Sequence, residues 1–297
     1  MIAKQIFEIL SAYSNNQGQV ENFSLVPLYE NIHDKILAGS RLVFLLPAFP
    51  AKSPSPDKTI GPLPDLGEVL ALSELNSICE KITALYPVGA EVVICSDGRV
   101  FSEVVSVSDE NITKYSEGIK SIIDEFKLTH LSTFALDDLY PNLSNDELRQ
   151  TLMKNYAKTE AEIRFYVKND SNWRNLFNGI HRFMMEDQAV LHPEKTRSQL
   201  QKETKKLTYE LVRRSDAWGE LLSAHFKGDL RLSIHPYPLY HNKFGIKMVQ
   251  SSNKWATPWH NVTVKSGESY QLMHFSEAQK LNPTRRTFKE KYVYFEV

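Results

Sequence analysis

Strand-like apolar runs alternate with helix-spaced segments through the first half of this chain, and that order limits its fold more than any other feature. Arg41–Leu46 is a short run suited to a buried strand, and Leu66–Tyr86 places Val69, Leu72, Leu75, Ile78, Ile82 and Leu85 at helical spacing. Glu91–Cys95 is a second apolar run. Ile112–Phe126 follows the cap-like Asp109 as a second helix, and His130–Leu136 supplies a third strand. Strand, helix, strand, helix, strand predicts an α/β architecture: a Rossmann-like, largely parallel sheet with helices on both faces.

From about Ser144 to His225 the pattern turns helical. Ser144 and Glu147 form a capping box, Asp170–Trp173 opens another helix, and Gln199–Phe226 is long enough for about seven turns. After Gly228 short strand-like pieces return at Leu230–Ile234, Phe244–Val249, Asn261–Lys265, Tyr270–His274 and Tyr292–Val297. No linker rich in Gly, Ser or Pro divides the halves, and there is no internal repeat. The expectation is one domain over residues 1–297, with a helical insertion at about 144–226 and a C-terminal β-rich segment.

Composition narrows the function. A formal net charge of −1 leaves no bulk positive charge for nucleic acid, though a local basic pocket is compatible with it. No run of 18 apolar residues predicts a membrane span. The stretch Met1–Leu10 carries Glu8 and no small-residue cleavage site, so it reads as an amphipathic helix on Ile2, Ile6, Ile9 and Leu10, not a secretory signal. Cys79 and Cys95 fall in a predicted helix and strand, in keeping with buried thiols and a cytoplasmic location.

Several chemistries lack their motifs. The 12 glycines contain no Gly-x-Gly pair, so neither a dinucleotide fingerprint nor a Walker loop is present. The Gly-x-Ser-x-Gly elbow, His-Glu-x-x-His and Cys-x-x-Cys are missing too. His192–Glu194 has the His-x-carboxylate spacing of an iron site, but Pro193 ahead of a charged segment reads as a helix start. An enzyme built this way works with acids, bases and a polar pocket.

Four stretches could carry such chemistry. Beyond the first strand, prolines 47, 50, 54 and 56 stiffen a loop bearing Phe49, Lys52 and Ser53, where an open parallel sheet binds ligands. A solvated proline-rich loop is the plain alternative. Beyond the second strand lie Asp97, Arg99 and Ser102; Asp97–Gly98 is also a turn signal that a tight hairpin would satisfy. Lys202, Lys206, Tyr209 and Arg213 share a helix face, which is ordinarily a solvated one, whereas Arg213, Arg214 and Asp216 sit among apolar residues and suit ion pairing. The fourth stretch, Leu230–Lys243, combines His235, Tyr237, Tyr240, His241 and Lys243, with Trp255, Trp259 and His260 following. A histidine at a strand end is more often a core residue, but aromatic walls beside titratable groups suit a pocket for an aromatic small molecule.

Residues 47–53, 61–68, 96–102, 214–218, 232–236 and 257–260, in that order, resemble the pyoverdine/dityrosine biosynthesis family. Its bacterial members include isonitrile (isocyanide) synthases of the paerucumarin and rhabduscin type. The resemblance implies a Rossmann-like fold without metal or nucleotide. It also implies a reaction joining the amino group of L-tyrosine or L-tryptophan to one carbon of ribulose 5-phosphate, with the isonitrile passed to an iron/2-oxoglutarate-dependent oxygenase. Fungal relatives act in making modified tyrosine for spore walls, so membership alone does not fix the product.

That chemistry needs a base for the amine, a cationic cradle for the phosphate and an apolar wall for the aromatic ring. From residue type and position within the matching stretches, Lys52, Ser53, Arg99, Lys206 and Arg213 are expected at the sugar phosphate. His235 is expected as the base, with Asp97 and Asp216 orienting it or moving protons. Phe49, Tyr237, Trp259 and His260 are expected around the amino acid, with L-tyrosine favoured. The alternatives are a formylating or other tyrosine-modifying enzyme, a non-catalytic phosphosugar or amino-acid binding protein, and a scaffold for a partner oxygenase.

Overall fold

The computed structural model describes residues 1–15, 26–96, 98–236, 242–251, 253 and 255–297. Helices α1 (Ile2–Ala12) and α2 (Pro27–Leu37) precede strand β1 (Leu42–Leu46). Then come α3 (Leu66–Leu85), β2 (Ala90–Cys95), the single turn α4 (Gly98–Phe101), α5 (Asp109–Glu125) and β3 (Leu131–Phe134). A helical stretch follows: α6 (Leu136–Leu139), α7 (Asn145–Tyr156), α8 (Glu160–Asn169), α9 (Ser171–Leu191) and α10 (Arg197–His225). After β4 (Leu230–Ser233) and β5 (Phe244–Gly245) the order is β6 (Val262–Ser266), β7 (Ser269–Met273), α11 (Phe275–Gln279), β8 (Thr284–Phe288) and β9 (Tyr292–Glu296).

The main sheet is parallel throughout, in the order β3-β2-β1-β4-β5. Its central strands β1 and β2 are largely apolar on both faces because both faces are covered. Leu42, Phe44 and Leu46 point into one core with α1, α2, α3 and α5, while Leu45 points into a second core with α4, α7, α8, α9 and α10. Val92 and Ile94 repeat the division against Val93 and Cys95. The chain builds outward from β1 to β2 and β3, then crosses to β4 on the other side. A topological switch point therefore lies between β1 and β4, where the strand ends diverge and leave a crevice.

A second sheet, in the order β7-β6-β9-β8, is mixed: β6 runs parallel to β9, and both outer pairs are antiparallel. Tyr292 of β9 and Trp259 ahead of β6 are buried in the first core.

Local details differ from the sequence reading. Ser108, not Asp109, caps α5: its Oγ accepts from the Asn111 amide at 3.2 Å, which frees Asp109 to accept from Arg149 at 3.0 Å. Gly98 starts a helical turn in place of a hairpin strand. His192 closes α9, and Thr196 caps α10 through the Gln199 amide, so the His192–Glu194 pair lies in the turn between two helices. No described helix is long and apolar enough to cross a membrane.

Candidate active site

The loop leaving β1 is shaped by two close approaches. Phe49 adopts φ 55°, a left-handed conformation unusual for a bulky residue, and its carbonyl accepts from Ser96 Oγ at 3.2 Å. Its ring is buried against Trp259, centroids 5.0 Å apart, so Phe49 forms part of the floor below the crevice. Gly98 brings α4 against the same loop: a Cβ there would stand 2.1 Å from the Pro50 carbonyl oxygen. The loop is fixed on its other side by the Ser53 amide, which donates to the Trp259 carbonyl at 2.8 Å.

Lys52 turns inward from this loop. Its Nζ contacts Asp65 Oδ2 at 2.8 Å and Glu68 Oε1 at 3.0 Å and donates to the Pro258 carbonyl at 2.9 Å. The same two acids form the capping box of α3, and Tyr115 Oη donates to Glu68 at 3.0 Å. An ammonium has three donors, and all three are engaged here. Burial works against the Lys52 charge, but Asp65 and Glu68 outweigh it and hold its pKa above normal. Burial pushes the Glu68 carboxyl up to about 7, with Lys52 opposing.

Above the strand ends of β1 and β4 lies a cavity of about 430 Å³. One wall comes from α9 and the 3-10 turn Pro258–His260. There Asp187 accepts from Ser53 Oγ at 3.3 Å and pairs with Lys58 at 2.8 Å, while Glu186 also pairs with Lys58 at 2.9 Å. Burial pushes the Asp187 carboxyl up, with Lys58 opposing. Phe183 lies against His260, ring centroids 5.2 Å apart. Burial, then the charge of Lys58, holds the His260 imidazole well below its usual pKa.

A second wall comes from α10 and β4. Asp216 pairs with Lys158 at 2.7 Å, and Lys158 also reaches Glu220 at 3.2 Å. Burial pushes Asp216 up, with Lys158 opposing. Arg231 donates to Ser223 Oγ at 3.1 Å and to the Gly219 carbonyl at 3.4 Å. Lys243 lines the cavity as well; burial, then the adjacent Arg231 charge, brings its pKa down to about 8.

His235 follows β4, its amide donating to Ser233 Oγ at 3.1 Å and its ring 5.3 Å from Trp255. Gly179 of α9 leaves room for that indole. The His235 side chain is half-buried and faces the cavity. Burial, with Lys243 second, brings its imidazole down to about 4, so it is neutral at neutral pH.

The cavity thus gathers Lys52, Ser53, Asp216, His235, Trp259 and His260 from the residues singled out in the sequence. Three others point elsewhere. Arg99 binds Asp137 at 3.2 Å and Asn145 at 3.2 Å, Arg213 donates to the Lys158 carbonyl at 2.7 Å, and Lys206 is exposed on the outer face of α10. Asp97 and Tyr237 lie outside the described residues. Sequence reasoning passed over Asp187 and assigned no role to Arg231 or Lys243. The available signal for Arg231 was a lone charge within an apolar strand; Asp187 looks like any polar residue on an amphipathic helix.

A parallel sheet whose switch point opens into a cavity lined by imidazoles and carboxylates has the form of an α/β enzyme site. Residues 32–285 match the pyoverdine/dityrosine biosynthesis protein family. The L-tryptophan isonitrile synthase AmbI2 of Fischerella ambigua is 42% identical over 88% of this chain and 79% of its own length. An L-tyrosine isonitrile synthase of Xenorhabdus nematophila is 39% identical over 82% of this chain and 74% of its own. The crystal structure of the PvcA protein from Pseudomonas aeruginosa superposes with a TM-score of 0.93 at 32% identity, covering 100% of both chains. The chain belongs to the pyoverdine/dityrosine biosynthesis family and is an isonitrile synthase.

Proposed function

We propose that this enzyme converts the α-amino group of an aromatic L-amino acid, L-tyrosine or L-tryptophan, into an isonitrile, with ribulose 5-phosphate donating the carbon. The observation that carries this reading is His235 facing a cavity of about 430 Å³ with aromatic walls, its imidazole kept neutral by burial. An amino acid enters as its ammonium form and must lose a proton before its nitrogen can attack a ketone. A neutral imidazole has the open lone pair to receive it; because burial and Lys243 disfavour the imidazolium, the transfer needs the negative charge that the sugar phosphate would bring beside Lys243. The amine adds to the C2 carbonyl, water leaves, and an imine remains; the later carbon–carbon cleavages draw on acid and base in turn. The buried Asp187 carboxylate suits the arriving ammonium. Phe183, Trp173 and the rings of Trp259 and His260 suit its side chain.

Asp216, tied to Lys158, would then act on protons from the α10 side. An iron/2-oxoglutarate-dependent oxygenase is the expected consumer of the product, and the cytoplasm the expected setting. Relatives named for tryptophan and for tyrosine both match this chain well, so the choice between the two belongs to experiment.

Purified enzyme is incubated with ribulose 5-phosphate and each amino acid, and a tetrazine captures isonitrile for mass spectrometry. One amino acid should give the adduct. In the His235→Ala variant, turnover should fall about 10²–10⁴-fold with the melting temperature kept. A folded His235→Ala enzyme with turnover within a few-fold of the parent removes His235 as the base. Absence of adduct from folded parent enzyme with either amino acid removes the substrate reading.

A further inference from the structure

We propose that Arg231 and Lys243 bind the phosphate of the sugar substrate. This rests on the phosphosugar reading above and moves the anionic end of that substrate away from the loop after β1. The cationic side chains lining the cavity, among the described residues, are Lys52, Arg231 and Lys243. Lys52 has its donors committed to Asp65, Glu68 and Pro258, so an incoming phosphate would have to break a buried ion cluster to reach it.

The charge balance of the two walls points the same way. Around the β1 loop and α9, Lys52 and Lys58 face four carboxylates, Asp65, Glu68, Glu186 and Asp187. That wall repels a phosphate and attracts an ammonium. On the α10 and β4 wall, Arg231, Lys243 and Lys158 stand against two carboxylates, Asp216 and Glu220, both already bound by Lys158. Arg231 is oriented by Ser223 and Gly219, and the hydroxyls of Ser215, Ser223 and Ser233 line the same wall. A guanidinium fork, an ammonium and hydroxyl donors are the groups that hold a phosphomonoester. Arg231 and Lys243 repel each other, Asp216 and Glu220 offset part of that repulsion at Lys243, and a phosphate beside the pair would offset more of it. The charged and titratable groups facing Lys243 are Arg231 from β4, His235 beyond it, and Asp216 and Glu220 from α10.

The arrangement also orients the two substrates. With the phosphate at Arg231 and Lys243 and the amine at Asp187, His235 stands where it interacts with both Lys243 and His260. Amine and ketone would meet beside it.

The test is steady-state kinetics of Arg231→Gln and Lys243→Gln, with inorganic phosphate as a competitor. Each variant should raise KM for ribulose 5-phosphate about tenfold to a hundredfold, the worth of a charge-assisted hydrogen bond. KM for the amino acid should stay unchanged, and inorganic phosphate, competitive in the parent, should cease to compete. Lys243→Arg should recover part of the loss. Deprotonation of Lys243 removes the charge, so in the parent KM for the sugar phosphate should climb above about pH 8. Parent enzyme that uses ribulose 5-phosphate, with both Gln variants folded and within twofold in KM, overturns the site while leaving the reaction intact. Should Arg231→Gln fail to fold, Lys243→Gln and the pH profile decide by the same criteria. Parent enzyme that makes isonitrile only from a donor without phosphate overturns the reaction reading, and this inference with it.

Discussion

Lys52 shows how much a side chain's surroundings add to what its type suggests. In the sequence it is a lone cation in a stiff loop beyond a strand, which suits an anion. In the fold it neutralises Asp65 and Glu68, whose positions follow from the N-terminal cap of α3. Removing the ammonium leaves two acids buried without compensation. Lys52→Met should therefore cost about 3–5 kcal/mol in urea unfolding, the range for breaking one side of a buried ion pair. A phosphate ligand would behave differently: its loss would raise KM for the sugar and leave unfolding unchanged. His235 was readable as an unusual residue because it ends an apolar strand before a proline. Its neutrality was not readable, since that depends on Lys243 and the surrounding walls meeting it in space.

At the scale of elements, periodicity located β1, α3, β2, α5, β3 and the long helices to within a few residues, because each buries an apolar stripe or run. Helix α2 escaped notice since it buries only Leu28 and Ile32, and β8 since every residue in it is exposed. For the turn after β2, a tight hairpin was the plain alternative at Asp97–Gly98. Its glycine serves instead for contact: α4 and the β1 loop pass so closely that no side chain fits between them. Gly98→Ala should force the two apart and destabilise the protein by about 1–3 kcal/mol, the usual range for overpacking. Its melting temperature should fall and turnover with it, because the displaced loop carries Lys52 and Ser53. An alanine variant with unchanged melting temperature would show that the loop can shift freely.

For the whole molecule, the alternating strands and helices announced the parallel sheet and so the end at which a ligand would sit. They did not announce how the second sheet joins it, because that contact is made by single residues distant in sequence. Tyr292 belongs to β9 yet is fully buried in the first core, 5.8 Å from Phe126, with its hydroxyl donating to Glu125 at 2.7 Å. Tyr292→Ala should cost about 3–5 kcal/mol. If the two sheets fold as a unit, urea unfolding should shift as one transition; a separate early transition confined to the C-terminal segment would show that they fold apart. The two cores carry a further consequence. The helices that line the cavity most heavily, α9 and α10, lie on one side of the sheet, while α1 and α2 on the other side contribute none. An evolving lineage can exchange side chains on the first side and sample new substrates while the second keeps the scaffold assembled. A mutant library seeking altered specificity is best concentrated there.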